Sequence, residues 1–237
     1  MKLSAPVYRL KRKARTLSRT EGIPLNLALD RIAAGEGFGA WSLLAAKSAD
    51  GSAARELLAR LIPGDLLLIG ARPGHGKTLL SLQLALEAMR AGRPAVFFTL
   101  EYTAGDLLGR FRALGVEPAQ FQALFTFDDS DAISADHILR ALADAPRGTL
   151  AIVDYLQLLD QKRGNPELMA QIRTLRAFAR DKGLILAFIS QIDRSYDPAV
   201  KPCPDLDDVR LPNPLDLSLF SKACFLNGGE VRFQAAG

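Results

Sequence analysis

The apolar positions of this chain fall into short continuous runs that alternate with longer stretches of helical period. Leu66–Gly70, Ala95–Leu100, Phe125–Phe127, Thr149–Asp154 and Leu184–Ser190 are runs of the first kind and read as strands buried on both faces. Between them, Lys77–Ala91, Ala104–Leu114, Ala135–Ala143 and Pro166–Lys182 read as helices. This alternation predicts an α/β fold: a mostly parallel twisted sheet with helices on both faces. Pro63-Gly64-Asp65 turns the chain into the first strand. Asp197–Pro214, rich in Pro and Asp, has no period and reads as a loop. Leu215–Phe220 and Glu230–Phe233 read as two final strands around Asn227-Gly228-Gly229.

The first fifty residues follow another pattern. Val7, Leu10, Ala14 and Leu17 share one helical face, predicting a helix over Pro6–Arg19 that Gly22 and Pro24 interrupt. Leu25–Ala33 and Ala40–Lys47 read as two more short helices, separated by Gly35-Glu36-Gly37-Phe38-Gly39. Together they predict a very small bundle around Leu10, Leu29, Phe38 and Trp41, with Asp50-Gly51-Ser52 as the linker. Charge marks the same division. Residues 1–50 carry nine basic residues (Lys2, Arg9, Lys11, Arg12, Lys13, Arg15, Arg19, Arg31 and Lys47) against four acids, Glu21, Asp30, Glu36 and Asp50. The whole chain has a net charge of only +4, so its basicity belongs to this segment. A small basic helical module over 1–50 and an α/β domain over 51–237 are therefore expected, the module having a partner of its own.

Composition narrows the setting. No apolar run approaches the roughly 20 residues that span a bilayer, and Met1–Pro6 has no apolar signal core, so a cytoplasmic protein without membrane contact is expected. Cys203 and Cys224 lack metal-binding spacing and read as reduced thiols, and His75 and His137 lack a second ligand nearby.

The candidate chemistry begins at Ala71-Arg72-Pro73-Gly74-His75-Gly76-Lys77-Thr78, directly behind the first strand and opening the first long helix. Strand, Gly-rich loop and helix form the context in which a P-loop binds nucleoside triphosphate with Mg²⁺. Backbone N–H groups entering a helix N-terminus converge on phosphate oxygens, and glycines let the backbone approach them. Arg72, Pro73, Gly74, His75, Gly76, Lys77, Thr78 and Leu79 are thus the expected ATP-binding residues. Lys77 reaches the β/γ-phosphates and the Thr78 hydroxyl ligates the metal. The strict pattern begins with Gly; here Ala71 holds that place and Gly70 stands one position early.

Three further strands end in polar residues. Glu101 follows the second, Asp154 ends the fourth, and Gln191 follows the fifth. Ligands of open α/β sheets sit at the carboxyl ends of strands. Asp154 is expected to hold Mg²⁺, Glu101 to orient or deprotonate the attacking water, and Gln191 to sense the γ-phosphate. A helix-capping carboxylate is the alternative for Glu101, and a strand-end polar residue the alternative for Gln191.

Ala71-Arg72-Pro73, Gly76-Lys77-Thr78, Thr99-Leu100-Glu101, Asp154-Tyr155-Leu156-Gln157-Leu158 and Ser190-Gln191-Ile192-Asp193-Arg194-Ser195 resemble the ATPase domain of DnaB-type replicative helicases over about residues 60–220. The resemblance implies a RecA-like fold, Mg-dependent ATP hydrolysis, and ring-shaped, hexamer-like homo-oligomers acting on single-stranded DNA. This sequence departs from that family in three ways. The basic module stands where the family has its N-terminal helical domain and linker helix. The Lys-x-Arg pair that serves as arginine finger is missing from the tail, where Lys222 and Arg232 are the remaining candidates. The loops after Asp154 and Gln191 are short, although Lys162, Arg163 and Arg194 lie there. The expectation is a helicase-like ATPase with weak or partner-dependent turnover, contacting single-stranded DNA, another nucleic acid or a protein partner. A nucleotide-dependent regulatory switch without helicase activity is the alternative.

Overall fold

The structure is a computed structural model describing residues 3–5, 7–48, 52–121, 123–160, 166–198, 200–211, 213–227 and 230–235. The chain forms two compact units, Met1–Ser52 and Ala53–Gly237. Asp50 and Gly51 of the expected linker, Lys162 and Arg163, and Gly228-Gly229 lie outside the described residues.

The first unit contains α1 (Val7–Glu21), α2 (Leu25–Gly35) and α3 (Trp41–Ser48). Leu10, Ala33 and Leu44 are buried at its centre, with Ile32, Phe38 and Trp41 packed against them. Leu29, expected in this core, is only half-buried, whereas Ala28 and Ala33 are fully enclosed. Small side chains on α2 let neighbouring helices approach, which a leucine at the contact would prevent. The Trp41 N–H donates to Asp30 Oδ1 at 2.8 Å, tying the start of α3 to α2.

The second unit opens with α4 (Ser52–Arg60), a helix the reading above did not anticipate. Ala54, Leu57 and Leu61 recur at three- and four-residue spacing and are buried. There follow β1 (Leu66–Ala71), α5 (Lys77–Arg90), β2 (Ala95–Thr99), α6 (Ala104–Ala113), β3 (Phe125–Asp128), α7 (Ala135–Ala141), β4 (Leu150–Asp154), α8 (Leu168–Lys182), β5 (Ile185–Gln191), β6 (Lys222–Asn227) and β7 (Glu230–Ala235). They build one sheet of order β3-β2-β4-β5-β1-β6-β7. All neighbours are parallel except β6 and β7.

Alternation along the strands divides the core into two layers. Leu66, Leu68, Phe98, Val153 and Phe188 pack with Ile138 of α7 and Leu175 of α8. Leu67, Ile69, Phe97, Ile152 and Ile189 face the opposite way, toward Leu57, Leu82 and Leu107 of α4, α5 and α6. With both faces covered, the central strands need apolar residues at every position, hence continuous runs instead of alternation.

One expected strand is absent. Leu215–Phe220 is not a strand: Asp216 Oδ1 accepts from the Ser218 N–H at 3.0 Å and closes a 3-10 turn over Leu217–Leu219. The turn drives Phe220 under the sheet, its ring 5.7 Å from that of Phe188 in an edge-to-face contact. The strand that pairs with β1 on the side away from β5 is Lys222–Asn227, immediately downstream. The described residues of 197–214 form a loop with a short 3-10 turn at Leu206–Asp208, held back on the sheet by an antiparallel bridge between Ile192 and Val209.

Candidate functional site

Strand order brings the candidate residues together. The connection from β1 to β2 leaves two vacant places, which β5 and β4 fill, so β2, β4, β5 and β1 end side by side. Thr99 pairs with Asp154, and Ala71 with Gln191. Adjacent strands lie about 4.8 Å apart, so residues far apart in sequence share one crevice.

Between β1 and α5 the loop turns where the His75 N–H donates to the Arg72 carbonyl at 3.1 Å. Gly74 and Gly76 have φ of 77° and 89°, a left-handed conformation that favours glycine. Gly76 is the N-cap of α5 and offers no side chain to that helix's first-turn amides. Those donors and the positive end of the helix dipole suit an anion. Pro73 and Gly74 are exposed, His75 is half-buried, and Leu79 is buried in the first turn of α5. Arg72 turns away from the helix: its Nη2 donates to the Arg194 carbonyl at 3.4 Å and its guanidinium lies 5.6 Å from the Tyr196 ring.

Gly70 has a different task from the loop glycines. A Cβ there would stand 2.7 Å from the Phe225 ring, so this glycine is required by packing between β1 and β6. Ala71, at the first position of the loop pattern, is buried without strain.

At the foot of α5, Thr78 Oγ1 donates to Asp154 Oδ2 at 3.2 Å, and both residues are buried. Burial is the leading cause that pushes the Asp154 carboxyl up to about 6; the Lys77 ammonium opposes the rise and the Glu101 charge adds to it. Asp154 Oδ1 is buried and accepts no hydrogen bond among the described residues. An orphan carboxylate oxygen beside a hydroxyl, in a desolvated place, is an oxygen donor set that fits a hard divalent cation.

Glu101 is exposed at the end of β2, where its N–H donates to Thr99 Oγ1 at 2.9 Å. It does not cap α6. Thr103 does, accepting from the Asp106 N–H at 3.3 Å, while Asp106 Oδ2 accepts from the Thr103 N–H at 3.0 Å. The Glu101 carboxylate, not engaged in the cap, acts through its charge on Asp154.

Gln191 closes the row. Its carbonyl accepts from the Arg210 N–H at 2.8 Å, and its side chain lines a cavity of about 220 Å³ with Tyr155, Gln157 and Arg210. Arg210 had no signal in the sequence, since it lies in an aperiodic loop. Arg110 was also missed. It stacks 4.5 Å from the Tyr102 ring and its charge reaches Asp154. Lys222 lies near the other end of the sheet, its Nζ 3.5 Å from Asp65 Oδ2, beside the start of β1. Arg232 is exposed on edge strand β7. Among the described residues no helix is long and apolar enough to cross a membrane.

The chain is similar to known proteins. A family profile described as "ATPase: KaiC" matches residues 56–202. A probable plasmid replicative DNA helicase of Chlamydia trachomatis is 26% identical over 180 residues, covering 63% of this chain and 40% of the relative. A replicative DNA helicase DnaB of Helicobacter pylori is 28% identical over 180 residues, covering 62% and 37%. The chain thus spans about two fifths of the length of these relatives. A solved DnaB-like replicative helicase, studied for its interactions with primase, superposes with a TM-score of 0.57 at 19% identity, over 69% of this chain and 47% of that one. That likeness concerns the fold. The chain belongs to the KaiC family of ATPases, has a RecA-like fold, and counts DnaB-type replicative helicases among its homologues.

Proposed function

We propose that this chain binds Mg-ATP in the crevice between α5 and β4, hydrolyses it slowly without a partner, and acts in DNA transactions. The Thr78–Asp154 pair with its orphan oxygen carries this reading, because one oxygen of that buried carboxylate has no hydrogen-bond partner among the described residues. The first-turn amides of α5 and the Lys77 ammonium hold the polyphosphate. Thr78 and Asp154 would hold Mg²⁺, which supplies charge neutralisation on the phosphate oxygens when bound. Glu101 orients a water for in-line attack on the γ-phosphorus and takes its proton as the bond to ADP breaks. Gln191 stands where the γ-phosphate ends and reports its loss.

Slow basal turnover follows from the tail. In phosphoryl-transfer enzymes an arginine finger contributes about 10³–10⁵ in rate. Here the chain just before the β6–β7 turn carries buried Cys224, Phe225 and Leu226, without a basic residue. A cation supplied by a second copy in a ring, or by another partner, would complete the site.

Nucleic acid is the proposed partner of the first unit. Arg12, Lys13, Arg15 and Arg19 are exposed on α1, while Leu10 and Ala14 of the same helix are buried. Among the described residues none of the four forms an ion pair, leaving them for phosphate contacts. Arg194, exposed after β5, adds a cation near the ATP crevice.

Calorimetric titration with ATP, with Mg²⁺ and with EDTA, tests the reading. Magnesium-dependent binding that is lost in Lys77→Ala is expected; a wild-type chain that takes no ATP would overturn it.

A further inference from the structure

Gln157 occupies a position that the chemistry above does not use. It sits in the 3-10 turn Leu156–Asp160 after β4, whose Leu156 and Leu159 are fully buried and anchor the turn. Its Nε2 donates to the Arg210 carbonyl at 3.0 Å and reaches Ser190 Oγ at 3.4 Å. A carbonyl only accepts, so the amide nitrogen must face Arg210 and the amide oxygen is forced the other way. That oxygen, Oε1, is buried and has no donor among the described residues. A buried acceptor left unpaired is costly, so a partner in another state of the protein is to be sought.

The cavity shared by these residues shows where to look. It is lined by Tyr155, Gln157, Gln191 and Arg210, and its donors are the Tyr155 hydroxyl, the Gln191 amide and the Arg210 guanidinium. Gln191 alone also adjoins the ATP loop, paired in register with Ala71. The two glutamines are further joined through one residue. The Arg210 N–H donates to the Gln191 carbonyl, and the Arg210 carbonyl accepts from the Gln157 amide.

We infer that Gln157 is a positioning residue that exchanges the Gln191 side-chain amide with the γ-phosphate. With the γ-phosphate present, the Gln191 amide donates to it. Once the phosphate leaves, the amide turns to Gln157 Oε1 and relieves the unpaired acceptor. Because the Gln157 side chain that would receive this bond also holds the Arg210 carbonyl, the exchange shifts Arg210 and the segment bridged through Val209. The exposed Arg210 guanidinium thereby presents the nucleotide state at the surface. This rests on the proposal that ATP occupies the crevice with its γ-phosphate beside Gln191.

Hydrogen exchange over residues 191–211 of the full chain, saturated with Mg-ADP or with Mg and a nonhydrolysable ATP analogue, tests the exchange. One hydrogen bond gained or lost in each state corresponds to a difference of about two- to tenfold in amide protection. In Gln157→Leu the difference is expected to vanish while ADP affinity is kept. In Gln157→Glu, which retains an acceptor at this position, part of it is expected to return. Either variant alone suffices if the other fails to fold by circular dichroism: loss of the difference in Leu, or its partial retention in Glu. A full wild-type difference in Gln157→Leu would overturn the inference. So would a wild-type chain that binds both nucleotides with equal protection, leaving the ATP-binding proposal intact. A wild-type chain that binds neither overturns both.

Discussion

The Thr78 hydroxyl donates to the Asp154 carboxylate at 3.2 Å, joining the first turn of α5 to the end of β4 across 76 positions of sequence. The contact leaves the second carboxylate oxygen buried and unpaired. Without a cation, this arrangement costs stability, and it does so in a pH-dependent way.

Asp154 has a carboxyl raised by burial from 3.8 to about 6 in the folded protein. A raised folded-state value means that the native state holds its proton more tightly than the unfolded chain. The resulting stability is full below the unfolded value and is lost as pH rises through about 6. Urea unfolding of the metal-free protein is expected to show a loss of about 1 kcal/mol between pH 5 and pH 7.5 from this group. Asp154→Asn should remove that slope and weaken magnesium-dependent ATP binding. An equal slope in the variant would show that the titration belongs elsewhere.

Glu101 is free of the capping role that Thr103 and Asp106 perform, so its replacement should spare the fold. Glu101→Gln is expected to keep ATP affinity and to lower phosphate release about 10²–10⁴-fold, the range for a general base. Thermal stability should stay within about 0.5 kcal/mol of wild type. Unchanged turnover in a single-turnover assay would remove Glu101 from the mechanism.

Gly70→Ala places a methyl group 2.7 Å from the Phe225 ring. Overpacking of this kind costs about 1–3 kcal/mol. Gly70→Ala combined with Phe225→Leu should recover part of the loss, which a double-mutant cycle measures. Purely additive losses would mean that the ring is not the obstacle.

Charge reversal on α1 separates its partner from the ATP site. Arg12→Glu, Arg15→Glu and Arg19→Glu together should weaken single-stranded DNA binding and reduce its log–log salt slope by about 2, at roughly 0.7 per phosphate contact. ATP affinity should stay the same. Binding that keeps its affinity and salt slope would place the contact on another surface.

Legibility in the sequence followed the range of the interaction. The strands from Leu66 to Gln191 and the helices between them are visible because burial on both faces imposes continuous apolar runs, and helical packing imposes its own period. The helix at Ser52–Arg60 carried the same signal in Ala54, Leu57 and Leu61 but was masked by its place beside an expected linker. Leu215–Phe220 misled because an apolar run there serves a 3-10 turn that pushes Phe220 beneath Phe188; Asp216 was the local cue. Arg210 was invisible, since it reaches Gln191 and Gln157 through backbone groups, which carry no residue identity.

By itself the sequence determined the glycine loop proposed to hold phosphate, because its glycines, Lys77 and Thr78 lie within one contiguous turn whose chemistry is local. It also determined that Glu101, Asp154 and Gln191 stand at strand ends. Only the tertiary structure decided that these ends are neighbours, through the order β2-β4-β5-β1. It alone decided which buried polar atoms are orphaned among the described residues, Asp154 Oδ1 and Gln157 Oε1 with Arg93 Nη1. Burial and hydrogen-bond satisfaction belong to pairs of distant residues, so no window of sequence contains them.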